Sequence, residues 1–132
     1  MPKMTGMVDA EQRPLLRLVL PDGNPILALV DTGFNGELWL TRSYAVACGI
    51  EIDDVFEQTG YLVGMRPTRE GFGRLRILWF GSEKIAGVAI DLDSEHRTTA
   101  AGEPVALIGT GLLAPSTMTV NFEKQTLVLR QK

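Results

Sequence analysis

The sequence predicts an all-β domain, and three observations carry that expectation. Apolar runs are short and are separated by Gly, Pro, Asn and Asp, the punctuation of strands and tight turns. Several runs alternate apolar with polar residues, a period of two that turns one face to a core and the other to solvent. Only two stretches read as helix, and both are short. A chain of 132 residues can bury one core and is short for two, so residues 1–132 are expected to form a single domain. Hydrophobic residues at 45% and charged residues at 22% argue against wholesale disorder.

Taken in order, the first strand expected covers residues 14–20, where Leu16, Leu18 and Leu20 alternate with Arg17 and Val19. Pro21-Asp22-Gly23-Asn24 is turn chemistry, with Pro presetting φ and Gly or Asn tolerating positive φ. Ile26 to Val30 is apolar at every position and reads as a strand covered on both sides. A short helix follows, capped by Thr41 or Ser43, running through Ala45 to Cys48 and ended by Gly49. Residues 55–80 read as a long hairpin with its tip near Gly64 to Gly71. On its return limb Leu75, Ile77 and Trp79 share one face, and Arg74 and Arg76 the other. Ala86, Val88, Ile90 and Leu92 line one face of a further strand. The polar stretch Asp93 to Glu103 is a surface loop, and Val105 to Ile108 returns to the core. Gly111 to Ala114 forms one helical turn before Pro115. A closing hairpin of Val120–Phe122 and Thr126–Leu129 turns at Glu123-Lys124-Gln125.

Composition narrows the partners. A formal charge of −3 gives no general attraction for nucleic acid or an anionic membrane. One cysteine, Cys48, cannot close an internal disulfide, and one histidine, His96, leaves little for a His-based metal site. No cofactor and no metal are expected. The N-terminus has no apolar stretch of the signal-peptide kind and no segment is long enough to span a bilayer, so a cytoplasmic protein is the default expectation. Trp39 and Trp79 read as core or rim residues, Cys48 as a small core residue, and the arginines of the hairpin as a solvated face.

The chemically informative residues are Asp31-Thr32-Gly33, directly after the apolar run. Five dry residues leading into a carboxylate are an awkward combination. Gly33 and Gly36 mark a tight reversal in which backbone N–H groups can turn toward the Asp. The plain alternative is a strand-ending turn in which Asp31 caps the loop.

Ala28-Leu29-Val30-Asp31-Thr32-Gly33-Phe34-Asn35-Gly36 resembles the active-site loop of the retropepsin-like aspartic proteases, the group of retroviral proteases and stand-alone microbial relatives. Ala106-Leu107-Ile108-Gly109, then Leu112-Leu113, then Val120-Asn121-Phe122 resemble the strand that passes beneath that loop, the short helix after it and the closing strand. The long hairpin lies between them, where the family carries its flap. The resemblance spans nearly the whole chain. It implies a closed acid-protease-like β-barrel with a flap hairpin and one or two short helices. It also implies an aspartic endopeptidase acting on peptide or protein substrates as a homodimer, without nucleic acid or membrane partners. Asp31 would be the catalytic carboxylate, with Thr32 bracing the two loops across the dimer and Gly33 admitting close backbone approach. Phe34, Asn35, Gly64, Met65, Ile108 and Gly109 would contact substrate. In this chemistry two carboxylates share one proton about a water that attacks the peptide carbonyl.

The sequence departs from the viral pattern in two places. Viral members often follow Asp-Thr-Gly with Ala-Asp and place an Arg after the apolar-Gly pair, and the two residues salt-bridge. Here Phe34-Asn35-Gly36 and Thr110 occupy those positions, so both partners are replaced together and a different brace is expected. Two other readings compete. One is a non-catalytic dimer of the same fold that binds peptides or partners; the other is an unrelated small β-barrel in which Asp31 is only a turn residue.

Overall fold

The computed structural model describes residues 2–51, 54–59, 67–92 and 105–132. Among these, ten strands and two short helices follow one another. They are β1 (Lys3–Val8), β2 (Pro14–Val19), β3 (Pro25–Val30), β4 (Leu38–Thr41), α1 (Arg42–Ala47), β5 (Asp54–Thr59), β6 (Pro67–Trp79), β7 (Ser82–Asp91), β8 (Ala106–Ile108), α2 (Thr110–Leu113), β9 (Ser116–Asn121) and β10 (Thr126–Gln131). The strands form one sheet in the order β5-β6-β7-β4-β8-β3-β2-β1-β10-β9. A further pairing of Val19 with Leu78 joins β2 to β6. That contact closes β6, β7, β4, β8, β3 and β2 into a six-stranded barrel, leaving β5 as one extension and β1, β10 and β9 as the other.

Period-two patterning decides what enters the barrel. Leu16 and Leu18 of β2, Ile26 and Ala28 of β3, Leu38 and Leu40 of β4, Ile77 of β6 and Ile90 of β7 are all buried in one cluster. Arg74 and Arg76 alternate with that set and are exposed. Trp79 joins the core and Trp39 is half-buried at its rim, as expected. Thr41 stands at the N-cap of helix α1 but, against expectation, its hydroxyl makes no cap bond and is buried without a hydrogen-bond partner among the described residues. The helix ends in Gly49, at φ +75°. Among the described residues no helix is long and apolar enough to cross a membrane.

Four features differ from the sequence expectation. Strand β3 is not covered on both sides: Ile26, Ala28 and Val30 are buried, but Leu27 is 48% exposed. Its second face looks away from the barrel, onto an open groove of about 540 Å³ lined by Met7, Leu15, Leu27 and Tyr44 among others. The hairpin's ladder extends further than expected. Residues 67–71, expected in the tip, are paired with Val55–Thr59 in strand register, so polar Thr68, Arg69 and Glu70 belong to an extended ladder. Gly64 and Met65, and the 93–103 loop with His96, lie outside the described residues. Strands β1 and β4 had no counterpart in the reading of the sequence. The first is recruited by five pairs with β10, from Lys3↔Arg130 to Met7↔Thr126. Strand β10 is consequently interior to the sheet, with Leu127 and Leu129 in the core, and β9 carries the edge.

Ile77 is fully buried where β6 crosses the barrel. Ile77→Ala should therefore cost about 2–5 kcal/mol, the range for cavity-forming core truncations. Arg76→Ala, one residue away on the exposed face, should stay within about 0.5 kcal/mol. Denaturant unfolding of both variants compares them directly, and equal losses would contradict the assigned faces.

Candidate functional site

Strand β3 delivers Asp31 to the mouth of the barrel. Val30 is still in the core, and the Asp31 N–H continues the ladder by donating to the Ile108 carbonyl at 2.9 Å. The chain then reverses. The Phe34 N–H donates to the Asp31 carbonyl at 3.2 Å, and the Gly33 N–H donates to Asp31 Oδ1 at 2.9 Å. One carboxylate oxygen is thereby aimed by the backbone. The side chain is half-buried, and Thr32 and Gly33 beside it are exposed. An ionised carboxylate offers about four lone-pair positions, so most of its accepting capacity faces outward.

The underside of the loop rests on the junction between β8 and α2. The Gly109 N–H donates to the Glu37 carbonyl at 2.9 Å, and the Gly111 N–H to the Gly36 carbonyl at 3.1 Å. The Phe34 carbonyl receives two donors from one residue, the Thr110 N–H at 2.8 Å and the Thr110 hydroxyl at 3.3 Å. Thr110 is therefore the brace that stands where the viral pattern has an Arg. The seating is close enough to demand glycine. A Cβ on Gly109 would collide with the Gly36 carbonyl oxygen and lie 2.5 Å from that of Phe34.

Beside the loop runs an open cleft of about 400 Å³. Its walls are Phe34 and Gly36 to Leu38 of the loop, Glu70 and Phe72 to Arg74 of the hairpin's return limb, and Gly87 to Ala89 of β7. Glu37 is committed there: its Oε1 accepts the Gly87 N–H at 3.0 Å, and its Oε2 lies 3.8 Å from Lys84 Nζ. Glu70 is half-buried and stands opposite Asp91 in the β6–β7 register. Burial first, and the nearby Asp91 carboxylate second, push its pKa above the ordinary glutamate value.

The sequence-derived site residues divide by location. Asp31, Thr32 and Gly33 form the exposed turn, and Phe34 lines the cleft. Asn35 is exposed on the loop, with its carbonyl near Gly111. Ile108 and Gly109, expected to contact substrate, are buried. Ile108 is 0% exposed because alternation turns its side chain into the barrel, and it offers the site a backbone carbonyl instead. Glu37, Glu70, Phe72 and Arg74 of the cleft were not among the expected residues. The signal for three of them was present: the outward face carrying Arg74 and Arg76 extends back through Phe72 to Glu70 once the strand starts at Pro67.

No family model matches the sequence, and no curated protein matches it significantly. Solved structures do match. A retropepsin-like aspartic protease from Rickettsia conorii superposes with a TM-score of 0.66 at 17% identity, covering 97% of this chain and 98% of that one. EIAV protease complexed with an inhibitor gives a TM-score of 0.53 at 19% identity, covering 80% and 89%. The chain has the retropepsin-like fold.

Two outcomes follow from the packing and charge. Gly109→Ala should destabilise the protein by more than about 2 kcal/mol, because backbone and not a flexible side chain must move; thermal unfolding measures it, and an unchanged Tm would refute the close seating. Glu70→Gln should raise Tm at neutral pH. A carboxyl with a raised folded pKa is protonated in both states well below the ordinary value of 4.5, and contributes nothing there. Above its folded pKa it is ionised in both states and the penalty is fully present. The advantage of Glu70→Gln should shrink as pH falls through that window, and a gain that persists in acid would refute the cause given.

Proposed function

We propose that the protein is an aspartic endopeptidase, a single domain over residues 1–132, whose site is completed by a second copy of the chain. The observation that supports this most is the presentation of Asp31. A strand with one face in the core ends in an aimed carboxylate beside an open cleft, within the retropepsin-like fold. Hydrolysis by this route needs one carboxylate to take a proton from water and a protonated one to polarise the peptide carbonyl. The sequence contains one Asp-Thr-Gly. A two-fold axis through the loop would bring the second carboxylate from the same residue of a partner copy. Close together, the two cannot both ionise easily, so the pair holds one proton, and its titration belongs to the pair.

The other residues take roles around that pair. Thr32, exposed next to Asp31, reaches across to the partner loop. Gly33 orients the carboxylate through its N–H, and Phe34 forms a wall of the cleft. Ile108, Gly109 and Thr110 hold the loop rigid from below, so that the carboxylates need no rearrangement when substrate binds. Substrate lies extended along the cleft and adds strand-like hydrogen bonds to the hairpin, the flap of this reading, whose tip includes Gly64 and Met65. The open edge of β9 gives a second copy a place to pair.

Asp31→Asn should abolish cleavage of an unstructured protein while leaving Tm and association nearly unchanged, since it keeps size and removes the ionisable group. Mixing wild type with an excess of Asp31→Asn should also suppress activity, because mixed dimers hold one ionisable partner. Specific activity should fall on dilution through the dimer dissociation constant. Full activity in a sedimenting monomer, or wild-type cleavage by Asp31→Asn, would overturn the proposal.

A further inference from the structure

The cleft beside the Asp31 loop holds a carboxylate, Glu70, that has no ion-pair partner among the described residues. Strand alternation puts Glu70, Phe72 and Arg74 on the same face of β6. Their charges are not equivalent. Arg74 stands opposite Gly87 in the register, and Gly87 is the residue whose N–H binds Glu37. A carboxylate therefore lies at the basic end of the cleft. Glu70 is four residues away, about 13 Å along an extended strand. Its carboxylate has no ion pair or hydrogen bond among the described residues, and its cross-strand neighbour is another carboxylate, Asp91. Like charges directly opposite one another in a sheet are destabilising. An exposed Glu would relieve this by turning into water, but Glu70 is half-buried.

The surface between Glu70 and the loop is apolar. Phe72 and Phe34 contribute rings, and Ala89, opposite Phe72 in the register, contributes an aliphatic wall. An apolar floor leading to an unpaired carboxylate matches one class of side chain: a long aliphatic stem with a cation at its end. Lys and Arg lay such stems on apolar surface and carry the charge beyond it, and aromatic faces add attraction for the cation. An acidic side chain would meet the Glu70 carboxylate there, and a short polar one would not reach it across the apolar floor.

We propose that Glu70 makes this end of the cleft a subsite for a Lys or Arg side chain of an extended polypeptide. The occupant supplies the missing counter-charge to Glu70 and covers the two phenylalanine rings. For cleavage, the subsite rests on the endopeptidase reading; for binding, it does not.

The test separates the two. Labelled decapeptide pools, randomised except for one fixed position, carry Lys, its uncharged isostere norleucine, or Glu at that position, which is moved through the peptide. Binding is measured at neutral pH to the Asp31→Asn protein, which needs no catalysis. At one fixed position the Lys pool should bind about ten-fold more tightly than the norleucine pool, a difference within the reach of a part-buried charge pair. The Glu pool should bind most weakly. Adding Glu70→Gln should bring the Lys-to-norleucine ratio close to one, and Glu70→Lys should favour the Glu pool; the Tm of each variant checks that it is folded. The same ratios in kcat/KM for the chain with Asp31 intact test cleavage. Absence of cleavage with the binding ratios retained removes the endopeptidase reading and keeps the subsite. A Lys-to-norleucine ratio near one in the Asp31→Asn protein, or an equal ratio with and without Glu70, overturns the subsite.

Discussion

The contact on which the site depends is backbone against backbone. Residues 31–37 form a loop that would be free to rearrange if it were held only at its ends, and five hydrogen bonds from four successive residues prevent this. Ile108 accepts from Asp31, Gly109 donates to Glu37, Thr110 donates twice to Phe34, and Gly111 donates to Gly36. The strap works because Gly109 has no side chain, so two carbonyl oxygens can come into the space a Cβ would need. It is anchored in turn by β8, which lies between β3 and β4 at the centre of the barrel. Burial of Ile108 thus fixes, at one remove, the direction of an exposed carboxylate.

The mouth of the barrel combines a rigid element with an open one. The Asp31 loop is pinned from beneath, whereas the cleft beside it is bounded by strands whose outward faces carry Glu70, Phe72 and Arg74. A pinned carboxylate next to an open, partly apolar channel is the arrangement the endopeptidase proposal requires, with the carboxylate preorganised and the channel long enough for an extended chain. The strain of opposing Glu70 and Asp91 across β6 and β7 belongs to the same picture. Sites of binding commonly keep arrangements that cost stability in the free protein.

Much of this was legible beforehand, for identifiable reasons. Leu16, Leu18, Leu75, Ile77, Val88 and Ile90 announce their strands because a residue buried on one face only must alternate. The Asp31 loop was recognisable because Gly33 and Gly36 mark a tight reversal, and the Gly109 strand through its resemblance to the retropepsin-like pattern. Other features had no local signal. Met4, Gly6 and Val128 do not advertise that β1 will pair with β10, since that pairing joins residues 119 to 127 positions apart. Leu27 is as apolar as Ile26, and only the absence of a covering layer leaves it exposed. Residues 68–70 read as a tip because they are polar, yet their backbone continues the β5–β6 ladder, a pairing set by distant register and not by local composition.

Sequence alone determined the all-β character, the position of the carboxylate at the end of an apolar strand, and the turn that Gly33 and Gly36 mark after it. These are properties of neighbouring residues: side-chain alternation, turn propensity and the conformational range of glycine act over a few bonds. Tertiary structure decided that Ile108 faces the core while its carbonyl serves Asp31, that Thr110 takes over as the brace, and that Glu70 shares a cleft with Phe34. Each depends on which distant strands become neighbours and in what register. A shift of one residue in any of those pairings would turn the opposite set of side chains to the site.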